Sequence, residues 1–443
     1  MNQLLVFTRF PQPGRVKTRL IPALGDLGAA QLHEALARRT LETAREFCTA
    51  TPISLVVYVA DGEVEPTQDA FGSDLNCRPQ SGADLGERLA RAVADAFSSG
   101  AHRVLAVGTD CPELSPDVLT AASHALSHAD VVLGPALDGG YYLIGLRADR
   151  PELFRNIDWG TGAVLTQTRR IAHDQGLSVH QLPALSDIDE PHDLLVCRRV
   201  MGELPGRPMN AAALSIIIPS LNEARTIGDT LRPLLSAKDV EVIVADGGSD
   251  DNTVEIARAS GARIVVARRG RALQMNAGAA IAVGGRLLFL HADTRLPSDF
   301  PRHIETVLNS GACAGAFRLR IDSTRPALRG IEYAANLRAK RLQLPYGDQA
   351  IFLRAETFYQ LGGYRPLPIM EEFELCRRLR RLGRIGLADA AAVTSPRRWE
   401  QLGVLRTTTL NQVMIAGYLL GVSPDRLARL YGRRTGSSIR RLD

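Results

Sequence analysis

Short apolar runs alternate with helical stretches along both halves of this 443-residue chain. The runs are LLVFT, ISLVVYVA, RVLAVG and DVVLGP in the first half, and LSIIIP, VEVIVA, ARIVVA and RLLFLH in the second. Runs of this length suit strands buried on both faces of a parallel sheet, with the intervening helices as crossovers. The sequence therefore predicts an α/β protein with two tandem Rossmann-like domains and mostly parallel sheets.

A segment rich in Gly, Pro and small residues, VMGELPGRPMNAAA, separates the two halves and has no periodicity. This composition is typical of a linker. We predict a first domain over residues 1–205, a linker over 206–213, a second domain over 214–400 and a helical, basic C-terminal extension over 401–443.

Charge is distributed unevenly between the halves, with a net −7 over residues 1–213 and +12 over residues 214–443. The arginines of the C-terminal segment 426–441 could meet phosphorylated substrates or anionic lipid. No aromatic-rich or helix-turn-helix pattern accompanies them, which disfavours nucleic acid. The six cysteines lack CxxC spacing, so we expect neither disulfides nor structural zinc.

The N-terminus enters a strand directly and no segment is apolar enough for a membrane span. We therefore expect a cytoplasmic protein, with peripheral contact to the inner face of the membrane through the basic C-terminus.

Polar side chains follow the strands of the second half. The run LLFLHADTRL ends in His291 and Asp293. A carboxylate at the end of a buried strand lies in the crevice where open α/β sheets bind ligands. The alternative is an Asp that only caps a turn.

Other segments of this half carry groups suited to a nucleotide or to acid–base chemistry. In RRGRALQMNAG, Arg271 begins a helix and Gln274 and Asn276 add amide donors, which suits a diphosphate. In PIMEEFELCRRLRR, Glu371 and Glu372 begin another helix; they are candidate bases or, alternatively, ordinary N-terminal helix acids.

In this order the motifs of residues 214–399 resemble the family 2 glycosyltransferases. The resemblance implies a GT-A fold, a nucleotide-sugar donor, a divalent cation (Mg²⁺ or Mn²⁺) and inverting transfer. It implies donor-binding roles for Pro219, Asn222, Glu223 and Asp246, which join Arg271, Gln274 and Asn276 as donor-binding candidates. Gly247 follows Asp246 and lets a ligand approach the backbone.

The same resemblance assigns the catalytic and acceptor residues. Asp293 matches the last Asp of the Asp-x-Asp metal motif, and His291 stands where the family has the first. Glu372 matches the catalytic base, with Glu371 beside it. The acceptor residues implied are Gly347, Asp348, Gln349, Arg398 and Trp399. No Gln stands three residues before Arg398, so we expect a single, non-processive transfer to a small or lipid-like acceptor.

The first half has a short loop with several cations after its first strand, FTRFPQPGRVKTRL. Its residues Arg9, Gly14, Lys17 and Arg19 could cradle phosphate, whereas the alternative is an exposed basic loop. With VGTDCPEL, GPALDGGYYLIGL and LSDIDEPHDL, this half resembles arsenosugar-biosynthesis-type glycosyltransferases and small-molecule nucleotidyltransferases. That resemblance implies Asp110 and Asp189 as metal ligands.

The leading hypothesis is a bifunctional enzyme in which a nucleotide-binding transferase is fused to a family 2 glycosyltransferase, in arsenosugar or other glycoconjugate biosynthesis. In a second hypothesis the first half is a nucleotidyltransferase that makes the donor of the second half. In a third it is a catalytically inert binding domain.

Overall fold

The computed structural model describes residues 2–432 and divides into two compact units. The first runs to Asp189 and includes Val200–Gly206, and the second consists of Glu190–Arg199 and the chain from Arg207 onward. This division differs from the expected linker over 206–213, because a strand begins inside it at Asn210. The Asn210 backbone N–H donates to the Val283 carbonyl and extends the second sheet into the segment.

The first unit contains a seven-stranded sheet. Its strands are β1 (Asn2–Thr8), β2 (Ile53–Val59), β3 (Cys77–Pro79), β4 (Arg103–Gly108), β5 (Val131–Pro135), β6 (Tyr141–Leu146) and β7 (Val179–Gln181). Its helices are α1 (Ile21–Ala50), α2 (Val64–Phe71), α3 (Leu85–Ser98), α4 (Pro116–Ala125) and α5 (Val164–Asp174). Helix α6 (Leu194–Met201) follows, and most of it belongs to the second unit. The strand order is β3-β2-β1-β4-β6-β5-β7, with β6 antiparallel to both neighbours.

Both faces of this first sheet are covered. On β1, Leu4 and Val6 belong to one apolar cluster with α1 and α4, whereas Leu5 belongs to the opposite cluster with α3 and α5. Successive side chains of a strand point to opposite faces, so a run without polar residues is required here. The expected buried strand is confirmed.

The second unit contains an eight-stranded sheet. Its strands are β8 (Asn210–Ser220), β9 (Val240–Asp246), β10 (Arg263–Val266), β11 (Gly284–Phe289), β12 (Thr294–Arg295), β13 (Ala314–Ile321), β14 (Phe352–Arg354) and β15 (Ile385–Thr394). Its helices are α7 (Ile227–Leu235), α8 (Thr253–Ala259), α9 (Arg271–Ile281), α10 (Phe300–Asn309), α11 (Pro326–Leu342), α12 (Ala355–Gln360), α13 (Glu371–Leu382), α14 (Arg397–Leu402), α15 (Val404–Leu419) and α16 (Pro424–Leu430).

The two sheets share one plan. The second has the order β10-β9-β8-β11-β14-β13-β15-β12, with β14 antiparallel to β11 and β13 in the place that β6 takes in the first. The predicted class, two Rossmann-like α/β domains with mostly parallel sheets, is confirmed.

Each sheet has one point where the strand order reverses. From β1 the chain proceeds to β2 on one side and later to β4 on the other, and from β8 it proceeds to β9 on one side and to β11 on the other. The loops after these strands diverge and leave a crevice at their carboxyl ends. The polar residues after β1 and β4, and after β8 and β11, therefore lie where a ligand site is expected.

Helices form the C-terminal part of the second unit. Met414 of α15 packs with Leu427 and Ala428 of α16 and with Ile369. Within residues 2–432, no helix combines the length and apolarity that crossing a bilayer requires.

Candidate functional site

The crevice between β8 and β11 holds two carboxylates joined by an arginine. Glu223 follows β8, Asp293 follows β11, and Arg397 begins α14. Arg397 Nη2 lies 3.0 Å from Glu223 Oε1 and 3.9 Å from Asp293 Oδ2. The hydrogen bond to Glu223 raises the pKa of Arg397 above its usual value, although burial opposes the shift. Two acidic side chains are thereby held beside one cation at the end of the central strand.

Helix α13 brings Glu371 and Glu372 to the same crevice. Glu372 Oε1 lies 3.7 Å from Arg271 Nη1 and 3.7 Å from His291 Nε2. Burial alone would lower the pKa of Arg271, but Glu372 and Glu371 raise it above its usual value. The residue before the helix, Met370, has a left-handed backbone with φ 73°. This conformation is uncommon outside glycine, and such positions concentrate at functional sites.

The 3-10 turn Gly347–Gln349 contributes Gly347 and Asp348 to the lining of the site. A side chain at Gly347 would collide with the site, because a Cβ there would lie 2.6 Å from His291 Nε2 and closer still to Glu372 Oε1. Burial raises the pKa of the neighbouring Asp348, and Glu372 adds to the shift while His291 and Arg338 oppose it. Asp348 Oδ1 and His291 Nε2 are buried and have no hydrogen-bond partner among the described residues.

These groups line one cavity of about 540 Å³. That volume falls in the range of small-molecule sites. Of the residues predicted from the sequence, the cavity collects Pro219, Glu223, Arg271, His291, Asp293, Gly347, Asp348, Glu371, Glu372 and Trp399. The side chain of the predicted acceptor residue Arg398 lies outside the part of the structure that is described.

Three side-chain amides that were predicted to bind a ligand form hydrogen bonds with backbone groups. Gln274 Nε2 donates to the Ser220 and Ala245 carbonyls and so ties the ends of β8 and β9 together. Asn276 exchanges two hydrogen bonds with the backbone of Tyr364. Gln349 donates to the Phe317 carbonyl. All three side chains are buried, and these hydrogen bonds position the backbone around the site. Their predicted donor and acceptor contacts stay predictions.

Hydrogen bonds within the protein also fix the loop after β9. Asp246 accepts from the backbone N–H groups of Gly248 and Ser249 and from the Ser249 hydroxyl. Asn222 Oδ1 accepts from the Asp250 N–H. A Cβ at Gly247 would lie 3.0 Å from the Gln274 amide, so this glycine permits close packing. These residues stay predicted donor contacts, and the structure shows that they shape the loop.

Several lining residues were not predicted from the sequence. Arg397 is one; its only signal was the pair of arginines before Trp399. Tyr346 is another, and the Arg338 guanidinium lies 3.4 Å from its ring centroid. Met414 and Ile415 also line the cavity, but apolar residues on a helix carry no signal that separates a binding wall from a core.

The first unit has a charge cluster at its own point of strand reversal. Lys17 Nζ lies 2.8 Å from Asp110 Oδ1 and 3.4 Å from Asp189 Oδ1, and Arg19 Nη1 lies 3.4 Å from Asp189 Oδ2. Lys17 is only 5% exposed. Burial opposes both charges, but each partner compensates, so the pKa of Lys17 is raised and that of Asp110 is lowered.

The cation of Lys17 therefore lies between the two predicted metal ligands, Asp110 and Asp189. Of the other loop residues, Arg9 contacts Asp61 at 3.3 Å, and Gly14 supplies a left-handed turn with φ 79°. The structure thus brings Lys17 and Arg19 to the partly exposed carboxylates of Asp110 and Asp189, whose negative charges they compensate.

No group of three or more His, Cys, Asp or Glu side chains among the described residues is arranged to hold a metal ion by itself. A cation at Asp293 would need further oxygen ligands from a bound donor. Mg²⁺ is commonly held in this way, by one or two carboxylates and the phosphates of the substrate.

Comparison with known proteins identifies both parts of the chain. A model described as glycosyl transferase family 2 matches residues 215–365, and a model described as an uncharacterized protein conserved in bacteria, DUF2064, matches residues 43–161. A solved structure from Desulfovibrio desulfuricans G20, described as a nucleotide-diphospho-sugar transferase, is 34% identical over 47% of this chain and 91% of its own, with a TM-score of 0.42. Residues 215–365 thus carry a family 2 glycosyltransferase domain, and residues 43–161 carry a DUF2064 domain.

Curated relatives of this glycosyltransferase match shorter segments. A PGL/p-HBAD biosynthesis glycosyltransferase of Mycobacterium bovis is 38% identical over 97 residues, 20% of this chain and 38% of the relative. The succinoglycan biosynthesis protein ExoA of Rhizobium meliloti is 29% identical over 203 residues, 40% of this chain and 61% of the relative. The chain thus spans less than two thirds of the length of these relatives.

A solved glucosyl-3-phosphoglycerate synthase from Mycobacterium tuberculosis is 20% identical, covering 50% of this chain and 82% of its own, with a TM-score of 0.33. That protein was solved with Mn²⁺, uridine diphosphate and glucosyl-3-phosphoglycerate.

Gly347→Ala tests the close packing of the glycosyltransferase site. The added methyl group would displace Glu372 or His291, and a displacement of about 1 Å costs about 100-fold in rate. We expect the rate of sugar transfer to fall by about this factor, measured by release of nucleoside diphosphate, while the circular dichroism spectrum is unchanged. Gly330→Ala on α11 is the matched control, since nothing lies within 4 Å of the Cβ that it adds. Equal rates for the two variants would contradict the close contact.

Proposed function

We propose that the second unit transfers a sugar from a nucleotide-sugar donor to an acceptor hydroxyl, with inversion and in a single, non-processive step. The observation that supports this most directly is one cavity in which Asp293 and Glu372 lie with Arg271 and Arg397 at the point of strand reversal. Cations beside carboxylates at this place suit a donor diphosphate and a general base.

The residues divide the reaction between them. Glu372 takes the proton of the acceptor hydroxyl as its oxygen bonds to the anomeric carbon. The bond from that carbon to the diphosphate oxygen breaks, and the nucleoside diphosphate leaves with the electron pair. Arg271 and Arg397 lie where they can contact the negative charge of the leaving group.

A divalent cation, Mg²⁺ or Mn²⁺, fits this proposal. Asp293 would hold it together with the diphosphate oxygens, and the cation would neutralise charge on the leaving group. His291 is the second predicted ligand, but its Nε2 lies 3.7 Å from Glu372 Oε1. Asp293 is therefore the carboxylate that we assign to the cation, and His291 a neighbour of the base.

Asp293→Asn and Glu372→Gln separate the two roles. In a screen of UDP-, GDP- and TDP-sugars with Mg²⁺ or Mn²⁺, Glu372→Gln should lower kcat by about 100-fold or more without changing donor affinity. Asp293→Asn should weaken Mn²⁺ binding in the presence of donor, measured by titration calorimetry. Glu305→Gln, an exposed acid on α10, is the control. Unchanged turnover in Glu372→Gln would show that Glu372 is not the base. Full activity of the wild type in EDTA would show that the reaction needs no divalent cation.

For the first unit we propose a nucleotide-binding transferase site at Lys17, Arg19, Asp110 and Asp189. The proposal rests on the buried Lys17, which lies between two carboxylates at the strand reversal. The same cluster would serve a nucleotidyltransferase that prepares the donor, whereas an inert binding domain would not need a buried cation there.

Nucleotide titration of the full chain distinguishes these alternatives. We expect two classes of binding site, and Lys17→Met should remove one class because it deletes the cation. Arg170→Met, at an arginine whose side chain is 83% exposed, should leave both classes intact. Exchange of labelled pyrophosphate into a nucleoside triphosphate would indicate the nucleotidyltransferase. Identical stoichiometry in Lys17→Met and wild type would refute the site.

We also propose peripheral contact with anionic membranes through the C-terminal helices. Leu419 ends α15, Leu420 follows it, and Leu430 ends α16. All three are exposed, Leu420 by 84%, and the exposed Arg426 and Arg429 lie on α16. Apolar side chains beside arginines suit the surface of an anionic bilayer. The rest of the predicted basic tail, residues 433–443, lies outside the described residues.

Leu420→Ser together with Leu419→Ser should reduce sedimentation with phosphatidylglycerol vesicles at low salt, because it removes the side chains that would enter the bilayer. Salt should weaken binding of the wild type, since screening reduces the attraction of the arginines. Leu382→Ser, at an exposed leucine on α13, is the control. Equal binding to neutral and anionic vesicles would argue against this contact.

A further inference from the structure

The cavity of the glycosyltransferase domain has a polar wall and an apolar wall. The polar wall consists of the carboxylates, arginines and His291 described above. The apolar wall is formed by Ile369, Met370, Phe373, Trp399, Met414 and Ile415. These six residues follow the segment matched by the family model, which ends at 365. The apolar wall is therefore formed by residues that lie C-terminal to the matched segment.

The charges of the lining are predominantly negative. Five carboxylates line the cavity, against two arginines among the described residues, and no lysine is present in that lining. Each arginine already lies beside a carboxylate: Arg397 is 3.0 Å from Glu223, and Arg271 is 3.7 Å from Glu372. A donor diphosphate would take up the same two arginines, and the proposed divalent cation would be held by that diphosphate and Asp293. A second anion would consequently lie among carboxylates, with no further arginine or lysine of the described lining to contact, which is unfavourable away from bulk water.

Other buried side chains pack against the residues of the apolar wall. Met414 is 2% exposed and packs against Ile369, Leu427 and Ala428. The ring of Phe373 lies edge-on to Tyr418, with 5.8 Å between their centroids. Trp399 packs with Leu319 and Leu328. A wall whose side chains are fixed by a second layer can bind an apolar body without ordering new side chains.

Building on the proposed function, we infer that the acceptor is an uncharged alcohol or phenol whose apolar body lies against Phe373, Trp399 and Met414. Its hydroxyl loses a proton to Glu372 and bonds to the anomeric carbon, and the nucleoside diphosphate leaves. Carboxylated and phosphorylated acceptors are rejected by the carboxylates that line the same cavity.

A matched pair of acceptors tests the charge requirement. 4-Methylbenzyl alcohol and 4-(hydroxymethyl)benzoate present the same primary hydroxyl and ring, and differ by a methyl group in place of a carboxylate. With the full chain and a nucleotide sugar that it hydrolyses, we expect kcat/KM for the neutral alcohol to exceed that for the benzoate by about tenfold or more, as buried uncompensated charge predicts.

Two neighbouring residues of α15 test the wall. Met414→Ala should raise KM for 4-methylbenzyl alcohol by about tenfold, the effect of removing methylene contacts in an apolar site, and should leave KM for the donor unchanged. Val413→Ala removes a similar apolar group from the outer side of the helix, where Val413 is 50% exposed, and should change neither constant. Donor hydrolysis in water shows that each variant is folded.

The outcomes separate the acceptor inference from the proposed function. If the chain hydrolyses no nucleotide sugar, the proposed function fails. If it hydrolyses the donor but uses the benzoate as well as the neutral alcohol, or transfers to neither, the acceptor inference alone is overturned. Equal KM values for Met414→Ala and Val413→Ala would overturn the assignment of the apolar wall.

Discussion

The reversal of strand order in each sheet is the constraint on which the rest of the structure depends. In the second unit, β11 lies between the parallel β8 and the antiparallel β14, and its residues Arg286, Leu287 and Leu288 pair on both sides. The polar residues His291 and Asp293 follow where this strand ends. The same plan in the first unit brings Asp110 to the corresponding place after β4. Topology thus sets the position of both charge clusters before any specific contact is considered.

Charge compensation then sets the arrangement within each crevice. The second unit gathers Glu223, Asp293 and Glu372, and each approaches an arginine within 4 Å. The first unit gathers Asp110 and Asp189 around Lys17. Partly buried carboxylates at these distances repel one another and require counter-charges. In the proposed function, the same cations contact the phosphates of the ligand, which would connect the stability of each site with its affinity for anions.

The sequence predicted the parallel strands well, because an apolar run bounded by polar residues has few other solutions in a chain of this kind. It did not predict the antiparallel β6, and for β14 it gave only a resemblance. Three-residue β14 carries almost no periodicity, and its direction is set by pairing with β11 and β13. Tertiary pairing of this sort is not encoded in a local pattern.

Site residues were predictable where the residue type rarely has a structural role at such a position. They were less predictable where the same group can bind either a ligand or buried backbone. The carboxylates predicted from the sequence, such as Asp293 after β11 and Glu372 at the start of α13, line the cavity. Amides such as Gln274 and Asn276 do not, because the same group that could bind a diphosphate also satisfies buried backbone. Satisfying the backbone has priority in a buried position, since an unmet carbonyl or N–H there is costly. Amides that follow a glycine-rich loop and face a strand end are therefore better read as supports of the site than as its ligands.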